Sequence, residues 1–254
     1  TKMNLSLGFG MDRRLVQRAT LLNQTPQHYY VNEPSARVAS RNTTFAGTTY
    51  YVDASKADDT GNGLTPETAK KTITAAYNIA ANGSVLQLAD GTYNSALEAG
   101  GYILLNTANK GVLIKGNAAN KAAVSISLTS AASYVLRLRQ TGECRFQDLT
   151  ITTNQNAPLI YNDFNYNNFA VFKNVGLVKA GTGASSRFMY CLGKGVAETN
   201  TAHFEFDTCS LSMAGAGTAW LFDGSGANVQ FLFKACTFAT GTTTPISIPA
   251  TTIT

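Results

Sequence analysis

The chain has 254 residues, enough for one long solenoid with a small appendage or for two ordinary domains. Only 14% of residues are charged and 22 are glycine, in stretches rich in Thr, Ala, Asn and Ser, which excludes a helical bundle and favours short strands joined by tight turns. The formal charge of +5 sits mainly in residues 1–45, where Lys2, Arg13, Arg14, Arg18, Arg37 and Arg41 outweigh Asp12 and Glu33; the near-neutral remainder offers no basic face, so no nucleic-acid partner is expected.

Along the chain, Asp12–Leu22 comes first. Leu15, Val16, Ala19 and Leu22 share one helical face, with Arg13, Arg14, Gln17 and Arg18 largely opposite; Asp12 is the expected N-cap and Pro26 ends the pattern. So few apolar residues cannot make a core alone, so this short helix is expected to dock on another subunit or a partner protein. From Asn23 to Gly47 no period persists, and the segment reads as an extended connector, which makes 1–47 a docking and connecting unit.

Residues 48–94 change character. Tyr50-Tyr-Val-Asp53 is followed by a polar loop, then by Gly61-Asn-Gly-Leu-Thr-Pro-Glu67, which reads as a turn because helical context follows too late for a phosphate cradle. A helix is predicted over 72–81, with Ile73, Ala76, Tyr77 and Ala80 on one face and Asn82-Gly83 as its left-handed stop. Ser84-Val-Leu-Gln-Leu-Ala-Asp-Gly-Thr-Tyr93 alternates as a half-buried strand and ends in an Asp-Gly turn.

Residues 95–254 carry a repeat. Phe146-Gln-Asp-Leu-Thr-Ile151, Phe172-Lys-Asn-Val-Gly-Leu177, Phe206-Asp-Thr-Cys-Ser-Leu211 and Phe233-Lys-Ala-Cys-Thr-Phe238 align as aromatic, two mostly polar, apolar, small, apolar. Their leading phenylalanines are 26, 34 and 27 residues apart, so one unit carries an insertion, between Leu177 and Phe204. Further short strands lie between them, at Tyr134–Leu138, Pro158–Tyr161, Arg187–Cys191, Ala219–Phe222 and Pro245–Ile248, and earlier at Tyr102–Leu105, Gly111–Lys115 and Val124–Leu128. Two or three strands per unit of about 25 residues is the arithmetic of a right-handed parallel β-helix, an all-β solenoid. Phe146, Phe172, Phe206 and Phe233 should then stack inside it, the 72–81 helix should cover its first coil, and Cys209 and Cys236 should be ladder neighbours, as paired thiols rather than a bridge.

The order Tyr51-Val-Asp, Gly61-Asn-Gly-Leu-Thr-Pro66, Lys71-Thr-Ile with a short helix, and Val85-Leu-Gln-Leu-Ala-Asp-Gly-Thr-Tyr93 resembles the N-terminal cap and first coil of pectate-lyase-like parallel β-helix proteins. Many members are phage tailspikes and tail fibres. The resemblance implies the fold and leaves the activity open, because binders, virion proteins and enzymes share this beginning.

Candidate chemistry is sparse. Glu205 and Asp207 bracket Phe206 and should both face outward, about 6–7 Å apart by strand rise, a spacing that overlaps the inverting glycosidase range. Outward acids on a solenoid are more often solvated, and neither the Asn-Thr-Asp nor the Gly-His-Gly signature of polygalacturonase-like enzymes is present. His28 and His203 read as satisfied surface or connector histidines. Trp220 reads as core first and as a glycan-contact platform second. Cys144, Cys191, Cys209 and Cys236 lack metal-ligand spacing, so no metal and no cofactor are expected. No apolar run reaches the roughly 18–20 residues of a membrane span, and the N-terminus lacks a secretory pattern. The expectation is a structural virion protein made in the host cytoplasm, a homotrimeric tail-fibre or tailspike component. Residues 1–45 would hold other virion proteins, and the solenoid would recognise a host-surface glycan. A polysaccharide depolymerase using Glu205 or Asp207 and a bacterial surface adhesin are the alternatives.

Overall fold

The computed structural model describes residues 29–30, 44–128, 134–139, 142–155, 157–163, 169–180, 188–192, 201–213, 222–223 and 228–239. The chain is mostly β. After β1 (Tyr29–Tyr30), β2 (Thr49–Val52) and helix α1 (Ile73–Ile79), strands follow in sets of three: β3 (Ser84–Leu88), β4 (Gly91–Asn94) and β5 (Ile103–Leu105), then β6 (Val112–Lys115), β7 (Val124–Leu128) and β8 (Leu136–Leu138). The pattern continues with β9 (Glu143–Gln147), β10 (Thr150–Thr153) and β11 (Ile160–Asp163), then β12 (Phe169–Lys173), β13 (Gly176–Lys179) and β14 (Met189–Leu192). The last strands are β15 (Thr201–Asp207), β16 (Ser210–Met213), β17 (Phe222–Asp223), β18 (Asn228–Lys234) and β19 (Thr237–Phe238).

Each set, here called a rung, contributes its first strand to one sheet, its second to another and its third to a third sheet. Among the described residues the first sheet runs β1-β18-β15-β12-β9-β6-β3-β2, the second β19-β16-β13-β10-β7-β4 and the third β17-β14-β11-β8-β5. All neighbours pair in parallel except β1, which lies antiparallel on β18.

In-register pairing turns the sequence repeat into columns, since equivalent residues of successive rungs sit one strand spacing apart. In the first sheet one inward column reads Leu86, Ile114, Phe146, Phe172, Phe206, Phe233. The four predicted phenylalanines stack face to face, with centroids 5.1, 5.0 and 5.0 Å apart and planes within 6–12°. Such ring pairs add about 0.5–1.5 kcal/mol each beyond area burial. The second sheet supplies Tyr93, Ile126, Ile151 and Leu177, and the third Ile103, Leu136, Ile160 and Met189; all join one continuous core.

The corner between first and second sheets has its own column. Asp148, Asn174, Thr208 and Ala235, the third residue of each repeat, all take the left-handed conformation, with φ of 57°, 52°, 57° and 48°. Asn174 Nδ2 donates to Asp148 Oδ1 at 2.8 Å, linking two rungs. In the rung before, Gly116 stands beside this corner, where a Cβ would overlap the Asp148 carbonyl.

Helix α1 buries Ile73, Thr74, Ala76 and Tyr77 and packs against β2, β3 and β5 at the first rung, as a cap would. Thr72 is its N-cap, and the next two amides, Ile73 and Thr74, donate to the two carboxylate oxygens of buried Glu98 at 2.9 and 3.0 Å. The helix is shorter than the predicted 72–81 because Ala80 is already extended (φ −66°, ψ 143°), and Gly83 at φ 83° turns the chain into β3. The loop 53–68 is closed by side chain to backbone bonds, with Asp53 accepting from Ser55, Asp58 from Thr60 and Asn62 from Leu64.

The strand expected over 84–93 is two strands. The chain leaves the first sheet after Leu88, rounds a corner at Asp90, and enters the second sheet at Gly91, whose φ is 151°. The buried parity changes across the corner, from Ser84, Leu86 and Leu88 before it to Tyr93 after it, with Ala89 to Thr92 exposed or half-buried between. A second departure is Lys179, in register with Thr153, facing inward and 0% exposed. Its Nζ donates to the Gln155 and Ala157 carbonyls at 2.7 and 2.6 Å, satisfying the turn after β10, and burial pushes its pKa down to about 8.

Candidate functional site

The outer face of the third sheet carries a column of aromatic side chains. Inward residues Ile103, Leu105, Leu136, Leu138, Ile160 and Met189 are buried, so the intervening positions must point out. Register then brings Arg137 of β8, Tyr161 of β11 and Tyr190 of β14 into one outward file. Tyr102, just before β5, and Tyr134, just before β8, extend it. Ring centroids are 5.1 Å apart for Tyr102–Tyr134, 4.4 Å for Tyr134–Tyr161 and 5.6 Å for Tyr161–Tyr190; the middle pair is stacked and the outer two are tilted.

The Arg137 guanidinium lies 5.7, 5.8 and 5.4 Å from the ring centroids of Tyr102, Tyr134 and Tyr161, and donates to Tyr102 Oη at 3.1 Å. The rings therefore fix the cation in place. Tyr102, Tyr134, Arg137 and Tyr190 are half-buried, and Tyr161 is 9% exposed. Half-exposed tyrosines with a preset guanidinium combine rigid apolar edges with hydroxyl and fork-shaped donors, the chemistry that holds hydroxyl- and carboxylate-bearing ligands.

Glu205 and Asp207 share the other outward surface, that of the first sheet, and their environments differ from the expected solvated pair. Glu205 is 3% exposed, lies between Val171 and Leu232 by register, and accepts from Lys234 Nζ at 2.6 Å. Its neighbours Phe169, Val171, His203 and Leu232 are buried as well, so this outer face is covered. His203 accordingly is not at the surface; its ring stacks on Phe169 at 4.6 Å. Asp207 is half-buried, sits in register between Lys173 and Lys234, and accepts from Thr208 Oγ1 at 2.9 Å. One strand carries both acids, and Glu205 is enclosed there beside Lys234.

The remaining predicted residues, Arg13, Arg14, Leu15, Val16, Arg18, Ala19 and Leu22 of the docking helix, the glycan candidate Trp220, and His28, lie outside the described residues. Among the described residues no three His, Cys, Asp or Glu side chains group to hold a metal ion, and no helix is long and apolar enough to cross a membrane. The tyrosine file was missed in the sequence although every strand that builds it was identified. Its trace is an aliphatic–Tyr pair, Ile160-Tyr161 and Met189-Tyr190, recurring in the third strand of successive rungs. No protein-family model, curated protein or solved structure matches this chain.

Proposed function

We propose that the chain is a right-handed parallel β-helix of the pectate-lyase-like kind and serves as a structural virion protein, a homotrimeric tail-fibre or tailspike component. It attaches through residues 1–45 and recognises an acidic host-surface glycan on the tyrosine file of its third sheet. The rotation of strands through three sheets supports the helical winding, and parallel crossovers are right-handed in about 98% of cases. The observation that carries the binding role is the Arg137 guanidinium held among Tyr102, Tyr134 and Tyr161. Tyr and Arg dominate recognition energetics, and a guanidinium selects carboxylate or phosphate groups.

The enclosure of Glu205 beside Lys234 supports a binding rather than a cleaving role. The test is calorimetry of the protein against acidic and neutral host-surface polysaccharides, with Arg137→Gln and Tyr134→Ala as variants and circular dichroism as the fold control. Selective binding of the acidic polymer, weakened about 10- to 100-fold in folded variants, is expected. Equal binding by the variants would remove the site. New reducing ends or unsaturated sugars in the mixture would turn the reading to a depolymerase, and a strictly monomeric mass by light scattering would remove the trimer.

A further inference from the structure

Two thiols in the last rungs form a pair that the binding role leaves unused. Asp207 pairs with Lys234 and Ser210 with Thr237, and both pairings share one offset, so Cys209 and Cys236 face each other between them. The backbone closes around this position, with Thr208 N on Lys234 O at 2.8 Å and Thr237 N on Cys209 O at 2.9 Å. Adjacent strands stand about 4.8 Å apart, inside the Cα separation that a disulfide spans.

The two side chains have the same posture. Cys209 Sγ donates to the Phe172 carbonyl at 3.2 Å and Cys236 Sγ to the equivalent Phe206 carbonyl at 3.3 Å. Both are free thiols; Cys209 is buried and Cys236 is half-buried, on the edge of the core. Their acidities are split. Burial first, and then the neighbouring thiol, push Cys209 up, whereas the adjoining Cys209 thiol pulls Cys236 below the ordinary thiol value. The more reachable sulfur is thus also the more readily ionised one. Cys144, fully buried and pushed up to about 12 by desolvation, has neither property.

We infer that Cys209 and Cys236 are an oxidation site, a dithiol that a small-molecule disulfide converts into a cross-link between the last two rungs. The Cys236 thiolate attacks the reagent disulfide, forming a mixed disulfide and expelling one reagent thiolate. Cys209 gives its proton to solvent and attacks the Cys236 sulfur, forming the Cys209–Cys236 bond and expelling the second. The two protein thiols lose two electrons and the reagent disulfide gains them. The Cys236 hydrogen bond to Phe206 is surrendered as its side chain rotates. The cross-link staples β19, which pairs with β16 through only Thr237 and Phe238, to the rung before it.

The experiment treats the full chain with oxidised glutathione and digests it with trypsin without reduction. Cleavage after Lys194 and Lys234 separates Cys209, on peptide 195–234, from Cys236, on the peptide starting at Ala235. The expected product is those two peptides joined, two hydrogens lighter than their sum, with Cys144 unmodified and the melting temperature of the oxidised protein raised. Cys236→Ser should abolish the joined peptide while leaving the circular dichroism spectrum unchanged. A stable glutathione adduct on Cys236 without the joined peptide would overturn the inference, as would both thiols remaining reduced. If Cys236→Ser folds poorly, Cys209→Ala serves, with the glutathione adduct stranded on Cys236 as the supporting result and no adduct as the refuting one.

Discussion

Thr208 is the residue whose replacement tests the corner geometry most sharply. It holds φ 57° in the same column as Asp148 and Asn174, yet it is β-branched, and such residues rarely adopt this conformation. The left-handed region costs an ordinary L-residue about 1–2 kcal/mol, and Asn carries less of that cost because its side chain bonds locally. Thr208→Asn should recover about 1 kcal/mol of it. The new amide also extends the link already made by Asn174 to Asp148 at 2.8 Å, adding roughly 0.5 kcal/mol at an exposed position. Against this stands the Thr208 hydroxyl bond to Asp207, at 2.9 Å and solvent-exposed, worth a few tenths. The net gain of about 1–1.5 kcal/mol corresponds to a melting-temperature rise of about 3–5 °C for a chain of this size. Thermal melts followed by circular dichroism measure it, with Thr208→Val as the control that keeps the branch and loses the hydroxyl. A Thr208→Asn melting temperature at or below that of the wild type would refute the strain argument.

Phe172→Ala removes one of the two inner rings of the stack and should cost about 3–5 kcal/mol, whereas Phe172→Leu, which keeps an apolar side chain there and loses the stacking, should cost about 1–2 kcal/mol; guanidinium denaturation separates them. Lys179 has a folded-state pKa depressed to about 8 from 10.5, so across that interval the unfolded chain binds more protons and stability rises with pH. Compared with Lys179→Met, the wild type should gain roughly 3 kcal/mol at most between pH 8 and 10.5, read from denaturation midpoints at each pH; a flat difference would refute it. Glu98→Ala strands the Ile73 and Thr74 amides and should cost about 2–4 kcal/mol, with hydrogen exchange at those two amides accelerating first. Burial raises the Glu98 pKa above its ordinary value, so its contribution relative to Glu98→Gln is greatest in acid and declines as pH rises above 4.5.

The core was legible because a repeating strand unit must put apolar side chains at the same places in each rung. Phe146, Phe172, Phe206 and Phe233 announced both the stack and its register, and the insertion between Leu177 and Phe204 left that register intact. The inward face of α1 followed from its period in the same way, as did the pairing of Cys209 with Cys236. The Asp-Gly pair at 90–91 was legible as a turn, but the passage of the chain there from the first sheet to the second was not, because a turn signal does not say which sheet the next strand joins.

The candidate site belongs to a different level. Tyr102, Tyr134, Tyr161 and Tyr190 come from four separate segments, and only lateral pairing of β5, β8, β11 and β14 makes them neighbours. Sequence alternation says which residues point out of a strand, and so determined by itself the inward columns and the repeating rung. Whether an outward face meets water depends on what lies over it. The covered outer face of the first sheet, which encloses Glu205 and His203, and the half-exposed tyrosines of the third sheet were therefore decided only by the tertiary structure.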